Sequence, residues 1–180
     1  MSAQACFALI NPFVQMCVLR LRPQDLPLSP FLMWLCLAVY TVTSVIGLAT
    51  LGLPWFSAAL AGPLATAMLA GLTMGLLALQ DKLQRATQTL TALAGCGAVL
   101  NVIATPFTLN MRPDSDGAGV SVAAALGFSL LILWSFVITA HVLRHALSTS
   151  FFFGLVLAIV FNLISNQALE LVFEFEPTES

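Results

Sequence analysis

The chain has 180 residues, of which 59% are hydrophobic and only 8% charged, with a formal net charge of −2. Soluble domains carry roughly 25% charged residues, so this chain lacks the charge needed to coat a water-facing surface. That excludes an ordinary soluble enzyme, a disordered chain and a basic nucleic-acid binder, and no nucleic-acid partner is expected.

Residues 4–22 read as an amphipathic helix lying in the membrane surface. Gln4, Asn11, Gln15 and Arg22 form a polar stripe, opposed by Phe7, Ile10, Val14, Cys17 and Leu21. Two-faced helices of this kind lie in the interface rather than crossing it. Asn11-Pro12 is expected to start a helical segment, with Asn as cap and Pro in the first turn. The competing reading is a short sixth crossing. No charge precedes Arg20, which argues against a cleaved signal peptide. Residues 23–30 hold three prolines in eight positions and read as an extended elbow.

Beyond the elbow the charges thin out. Asp25 is followed by none until Asp81, a gap of 55 residues, and charge-free runs of 26, 27 and 25 residues follow. One crossing needs about 20 residues, so the long gap holds two. Gly52-Leu53-Pro54-Trp55 supplies the break, because Gly and Pro end a helix and Trp suits the interfacial aromatic belt. The expected architecture is all-α and integral to a membrane. Five transmembrane helices run over about 31–53, 56–80, 87–109, 119–143 and 149–171, and an acidic tail follows over 172–180.

Direction follows from Lys and Arg near the span ends. With the amino terminus inside, Arg20, Arg22, Lys82, Arg85 and Arg144 lie on the inner side and Arg112 alone outside. The tail, with Glu174, Glu176 and Glu179, is then outside, and a bacterial inner membrane is the expected location.

Lipid is as apolar as leucine, so spans associate by close packing and interhelical hydrogen bonds. In the second span Gly62, Thr66 and Ala70 recur every four residues, as do Ala67, Gly71 and Gly75. The first reading is packing within the bundle and the second a homodimer face. Asn101 lies 14 residues after Thr87, and Asn162 lies 13 after Thr149, so both sit about 20 Å from the inner boundary. They are expected to bond each other, with Thr105 or Asn166 compensating the Val102 carbonyl that Pro106 leaves without its donor. Structural glue is the first reading and a substrate path the second.

A search for chemistry finds little. Proton- and ion-coupled carriers keep ionisable groups within the membrane, and no predicted span centre holds one. His141 and His145 share a helix face, but two imidazoles do not complete a metal site. With Arg144 they are expected to complement the helix dipole and face lipid head groups, alongside Arg20, Arg22, Lys82 and Arg85. Cys6, Cys17, Cys36 and Cys96 have no metal-ligand spacing, and Asp114-Ser115-Asp116-Gly117 reads as a turn. No catalytic residue, cofactor or metal is expected.

The order and texture of these elements carry a resemblance. After the elbow come Arg85-Ala86-Thr87-Gln88-Thr89-Leu90, Ala92-Leu93-Ala94-Gly95 and Pro106. Trp134 then precedes His141 and the Arg144-His145-Ala146-Leu147-Ser148 turn. In this the chain resembles the Yip family of five-span membrane proteins, and its bacterial members in particular, over most of residues 23–171. Eukaryotic members carry Asp-Leu-Tyr-Gly-Pro in the elbow and engage Rab GTPases, whereas this chain has Asp25-Leu26 without the Tyr or Gly. The resemblance therefore implies a membrane-embedded scaffold or organiser with no specific partner. The functional expectation is a non-enzymatic organiser that binds lipid or an unidentified membrane protein, with homo-oligomer formation possible. A small channel or permease, with its path between spans three and five, is the alternative. An accessory subunit of a larger membrane complex comes third.

Overall fold

The computed structural model describes residues 3–111 and 121–173. Helix α1 (Ala3–Cys17) leads into a 3-10 turn over Pro23–Asp25. Five longer helices follow: α2 (Pro30–Thr50), α3 (Trp55–Leu79), α4 (Ala86–Asn110), α5 (Val122–Leu147) and α6 (Phe151–Phe173). No strand occurs among the described residues, and all five longer helices are long and apolar enough to cross a membrane. Arg112, the Asp114–Gly117 turn and the tail residues Glu174, Glu176 and Glu179 lie outside the described residues, as do the side chains of Gln4, Cys6 and Phe7.

The ends of these helices follow from local chemistry. Ser29 and Ser121 accept the N–H groups of Leu32 and Ala124 at 3.3 and 3.4 Å, capping α2 and α5. At the other ends, Leu19, Gly52, Asp81 and Ser148 all turn left-handed. The next N–H reaches back five residues in each case, to the carbonyls of Gln15, Leu48, Leu77 and Arg144. That bond satisfies a carbonyl that the helix itself leaves open. The expected break at Gly52 is therefore real. Helix α5, by contrast, runs four residues past its expected end at 143, which carries Arg144 and His145 into its last turn.

Helix α4 is the hub, touching α1, α2, α3 and α5. It lies beside α2 in a constant register, with Tyr40 against Gly97, Ser44 against Asn101 and Thr50 against Thr108. Close packing is strongest at the end that carries Lys82. There Leu77, Leu143 and Leu147 are 0% exposed and Leu90 is 3%.

One expectation about α1 needs correction. The helix runs straight through Pro12 rather than starting there; Asn11 accepts from Gln15 Nε2 at 3.3 Å instead of capping. Helix α1 also packs against the bundle. Phe13, Met16 and Cys17 are buried, and a Cβ on Gly95 of α4 would collide with the Phe13 ring. Trp134 of α5 donates its indole N–H to the Cys17 carbonyl at 3.1 Å. Gly95 is nine residues into α4, roughly 14 Å along it. The reason lies in a second apolar face that the polar stripe concealed. Of the expected apolar face Ile10 and Val14 remain exposed while Cys17 is buried, and Phe13 and Met16, outside that face, are buried as well.

Among the described residues three buried hydroxyls are unpaired, those of Thr73, Thr149 and Ser165. The Thr73 hydroxyl has no hydrogen-bond partner although Thr73 is 0% exposed. Thr73→Val keeps the shape and removes the orphan, so it is expected to raise stability by about 1 kcal/mol. A lower melting temperature in detergent would contradict this.

Candidate functional site

The small residues of α3 divide into two groups. Gly62 lies against α2, where a Cβ would meet the Thr41 carbonyl and the Val45 N–H nitrogen, both at 3.2 Å. Thr66 and Thr41 share a hydrogen bond of 2.7 Å. Ala67, Gly71 and Gly75 are exposed, and nothing stands within 4 Å of a Cβ on either glycine. Bundle packing thus holds for the upstream half only. The downstream half opens on an apolar groove of about 270 Å³ walled by Leu72, Leu76, Val160 and Phe161.

The basic residues are also divided. Lys82 donates to the Leu147 carbonyl. Arg85 donates to the His145 and Ala146 carbonyls at 3.4 and 3.1 Å and to Ser148 Oγ at 2.9 Å. These are the open carbonyls of the carboxyl-terminal turn of α5, where the helix dipole favours cations. The two side chains therefore cap α5 rather than standing free for head groups. His141 is likewise turned inward, 6% exposed, with Nε2 3.2 Å from the Leu21 carbonyl. Arg144 donates to His145 Nε2 at 3.2 Å and lies 5.9 Å from the Phe151 ring centre. Arg20 and Arg22 are exposed. The His141 and His145 rings meet edge-on at 4.7 Å, and no cluster of three metal-capable side chains occurs among the described residues.

The interior polar residues converge without bonding as expected. Asn101 donates to Ser44 Oγ at 3.1 Å and Thr43 Oγ1 at 3.4 Å, both on α2. Asn162 accepts from Asn166 of its own helix at 2.9 Å. The Thr105 hydroxyl goes to the Asn101 carbonyl at 2.9 Å rather than to Val102. The direct Asn101–Asn162 bond is therefore absent, because Asn101 faces the shared register of α2. Yet both line one cavity of about 240 Å³, together with Tyr40, Cys96, Ser135 and Thr139. Asn166 does not join them and is exposed.

These contacts separate the two amides in stability. Asn101→Leu breaks an interhelical bond and is expected to cost about 0.6–2 kcal/mol. Asn162→Leu removes a bond within α6 and should change stability by less than that. Equal effects in thermal unfolding would contradict the assignment.

The cavity has walls from α2, α3, α4, α5 and α6 and no Asp, Glu, Lys, Arg or His in its lining. Its chemistry is that of neutral donors and acceptors. Tyr40, Ser135 and Thr139 were not singled out in the sequence. A signal existed for the first, since Tyr40, Ser44 and Gly47 recur at helical spacing along one side of α2. No protein-family model, curated protein or solved structure matches this chain.

Proposed function

We propose that this non-enzymatic membrane protein, oriented with its Lys82 end in the cytoplasm of a bacterial cell, admits a small uncharged polar solute into its bundle. The solute passes without ion coupling. One observation carries this reading: Tyr40, Asn101, Ser135, Thr139 and Asn162, from four helices, converge on a single cavity free of charged side chains. Its volume of about 240 Å³ falls just below the range of roughly 300–1,000 Å³ typical of drug-sized ligands, so it suits a molecule as small as glycerol. The lack of charge disfavours ions, whose desolvation nothing there would offset.

Reconstitution into liposomes tests the proposal. Glycerol is expected to equilibrate faster than in protein-free vesicles, and Asn162→Leu is expected to slow it. Equilibration no faster than through bare lipid removes the reading.

The second reading is a Yip-like organiser of membrane proteins or lipid. It is favoured by the open groove at Gly71 and Gly75, a surface on which another helix can approach closely. In-membrane crosslinking from Ala67 is expected to capture a discrete neighbour if this reading holds.

A further inference from the structure

The polar cavity is not isolated. A second cavity of about 190 Å³ shares Tyr40 and Asn101 with it and adds Ser44, Gly47, Thr105 and Thr108. A third, of about 590 Å³, shares Leu51 and Thr108 with the second and opens around the Gly52–Trp55 turn. The three lie end to end along α2 and α4. Their lining residues recur at helical spacing, Tyr40, Ser44, Gly47 and Leu51 on one helix and Asn101, Thr105 and Thr108 on the other. One face of each helix therefore borders the series.

Hydroxyl groups mark the route. Thr108 and Thr50 share a hydrogen bond of 2.8 Å, and Ser44 accepts from Asn101 at 3.1 Å. Gly47 adds width, because a Cβ there would meet nothing within 4 Å. Toward Lys82 the picture reverses. Below the cavity Leu77, Leu90, Val142, Leu143 and Leu147 fill the bundle and line none of the three cavities, and α1 wedges Phe13 and Met16 against its flank.

We infer that the polar cavity is the closed end of a half-channel that opens at the α2–α3 turn and follows the α2–α4 seam, admitting small uncharged hydrogen-bonding solutes from that face only. The inference rests on the cavity being a solute site, and it moves the route away from the α4–α6 cleft. The leucine layer at the Lys82 end is the seal that must part for passage to be completed.

Cysteine accessibility in oriented vesicles decides it. Thr108→Cys, Ser44→Cys and Leu90→Cys are exposed to a membrane-impermeant methanethiosulfonate, and the labelled site is read by mass spectrometry. From the α2–α3 face, Thr108→Cys and Ser44→Cys are each expected to react at least about tenfold faster than Leu90→Cys, which reacts only through local opening. Adding Gly47→Leu should bring Ser44→Cys down to the Leu90→Cys rate and leave Thr108→Cys reactive. Gly47→Ala, a single methyl in the same open direction, should give a smaller slowing and so separates filling from misfolding. A Ser44→Cys as inert as Leu90→Cys, one labelled only from the Lys82 face, or one indifferent to Gly47→Leu overturns the route. The expected labelling in a protein that passes no glycerol keeps the half-channel and removes the permease. Glycerol flux indifferent to Gly47→Leu removes this route and keeps the permease.

Discussion

Gly154→Ala is expected to pull α5 and α6 apart and to cost the folded bundle about 1–3 kcal/mol or more. A Cβ at Gly154 would stand 2.6 Å from the Ala140 carbonyl oxygen and 3.3 Å from both the Arg144 Cβ and its backbone nitrogen. The nearest obstacles are backbone atoms of a neighbouring helix, which cannot rotate aside as a side-chain tip does. The added methyl therefore forces a translation of α6, and the dispersion contacts along the α5–α6 seam fall off steeply with separation. Gly71→Ala is the matched control. Its Cβ enters open space, and Ala is favoured over Gly in a helix by about 0.8–1.0 kcal/mol. Thermal unfolding in detergent should show a lowered midpoint for Gly154→Ala and an unchanged or raised one for Gly71→Ala. Matching midpoints would show that the α5–α6 approach is looser than its geometry.

Arg85→Ala is expected to have the second largest effect, about 1.5–3 kcal/mol, the range for hydrogen bonds to charged groups. Its guanidinium reaches two carbonyls and a hydroxyl at the carboxyl end of α5, and Lys82 takes a third carbonyl. Partial exposure of both side chains lets water replace some of this, so the lower half of the range is favoured. Arg85→Lys keeps the charge but not the fork, and should recover only part of the loss. The double variant with Lys82→Ala should lose more than Arg85→Ala alone, because it also removes the donor to the Leu147 carbonyl. If exchange protection of the α5 amide groups is the same in Arg85→Ala as in the parent chain, these contacts do not hold the helix end.

Particular residues show how far the sequence could be read. The Gly52–Pro54 break and the Asn101–Asn162 neighbourhood were both legible. Helix breakers and depth along a span depend on local spacing. The partners of Asn101 and Arg85 were not legible. Thr43 and Ser44 lie 58 and 57 residues away in sequence from Asn101, and no periodicity within one helix indicates which face of another it will meet. The packing of helix α1 is hidden for a related reason. One polar stripe implies one apolar side, whereas Phe13, outside that side, meets Gly95 of α4 and Ile10 and Val14, on it, stay exposed.

The order of apolar and charged residues alone determined that this chain has five apolar helices long enough to cross a membrane, and roughly where each begins and ends. Transfer into lipid is a sum over some twenty consecutive residues, so a local reading suffices. Tertiary structure alone decided which faces meet, which glycines are filled and which stay open, and where a polar cavity lies. An apolar side chain is as well accommodated by lipid as by a neighbouring helix, and only shape and hydrogen-bond complementarity between distant segments distinguishes the two.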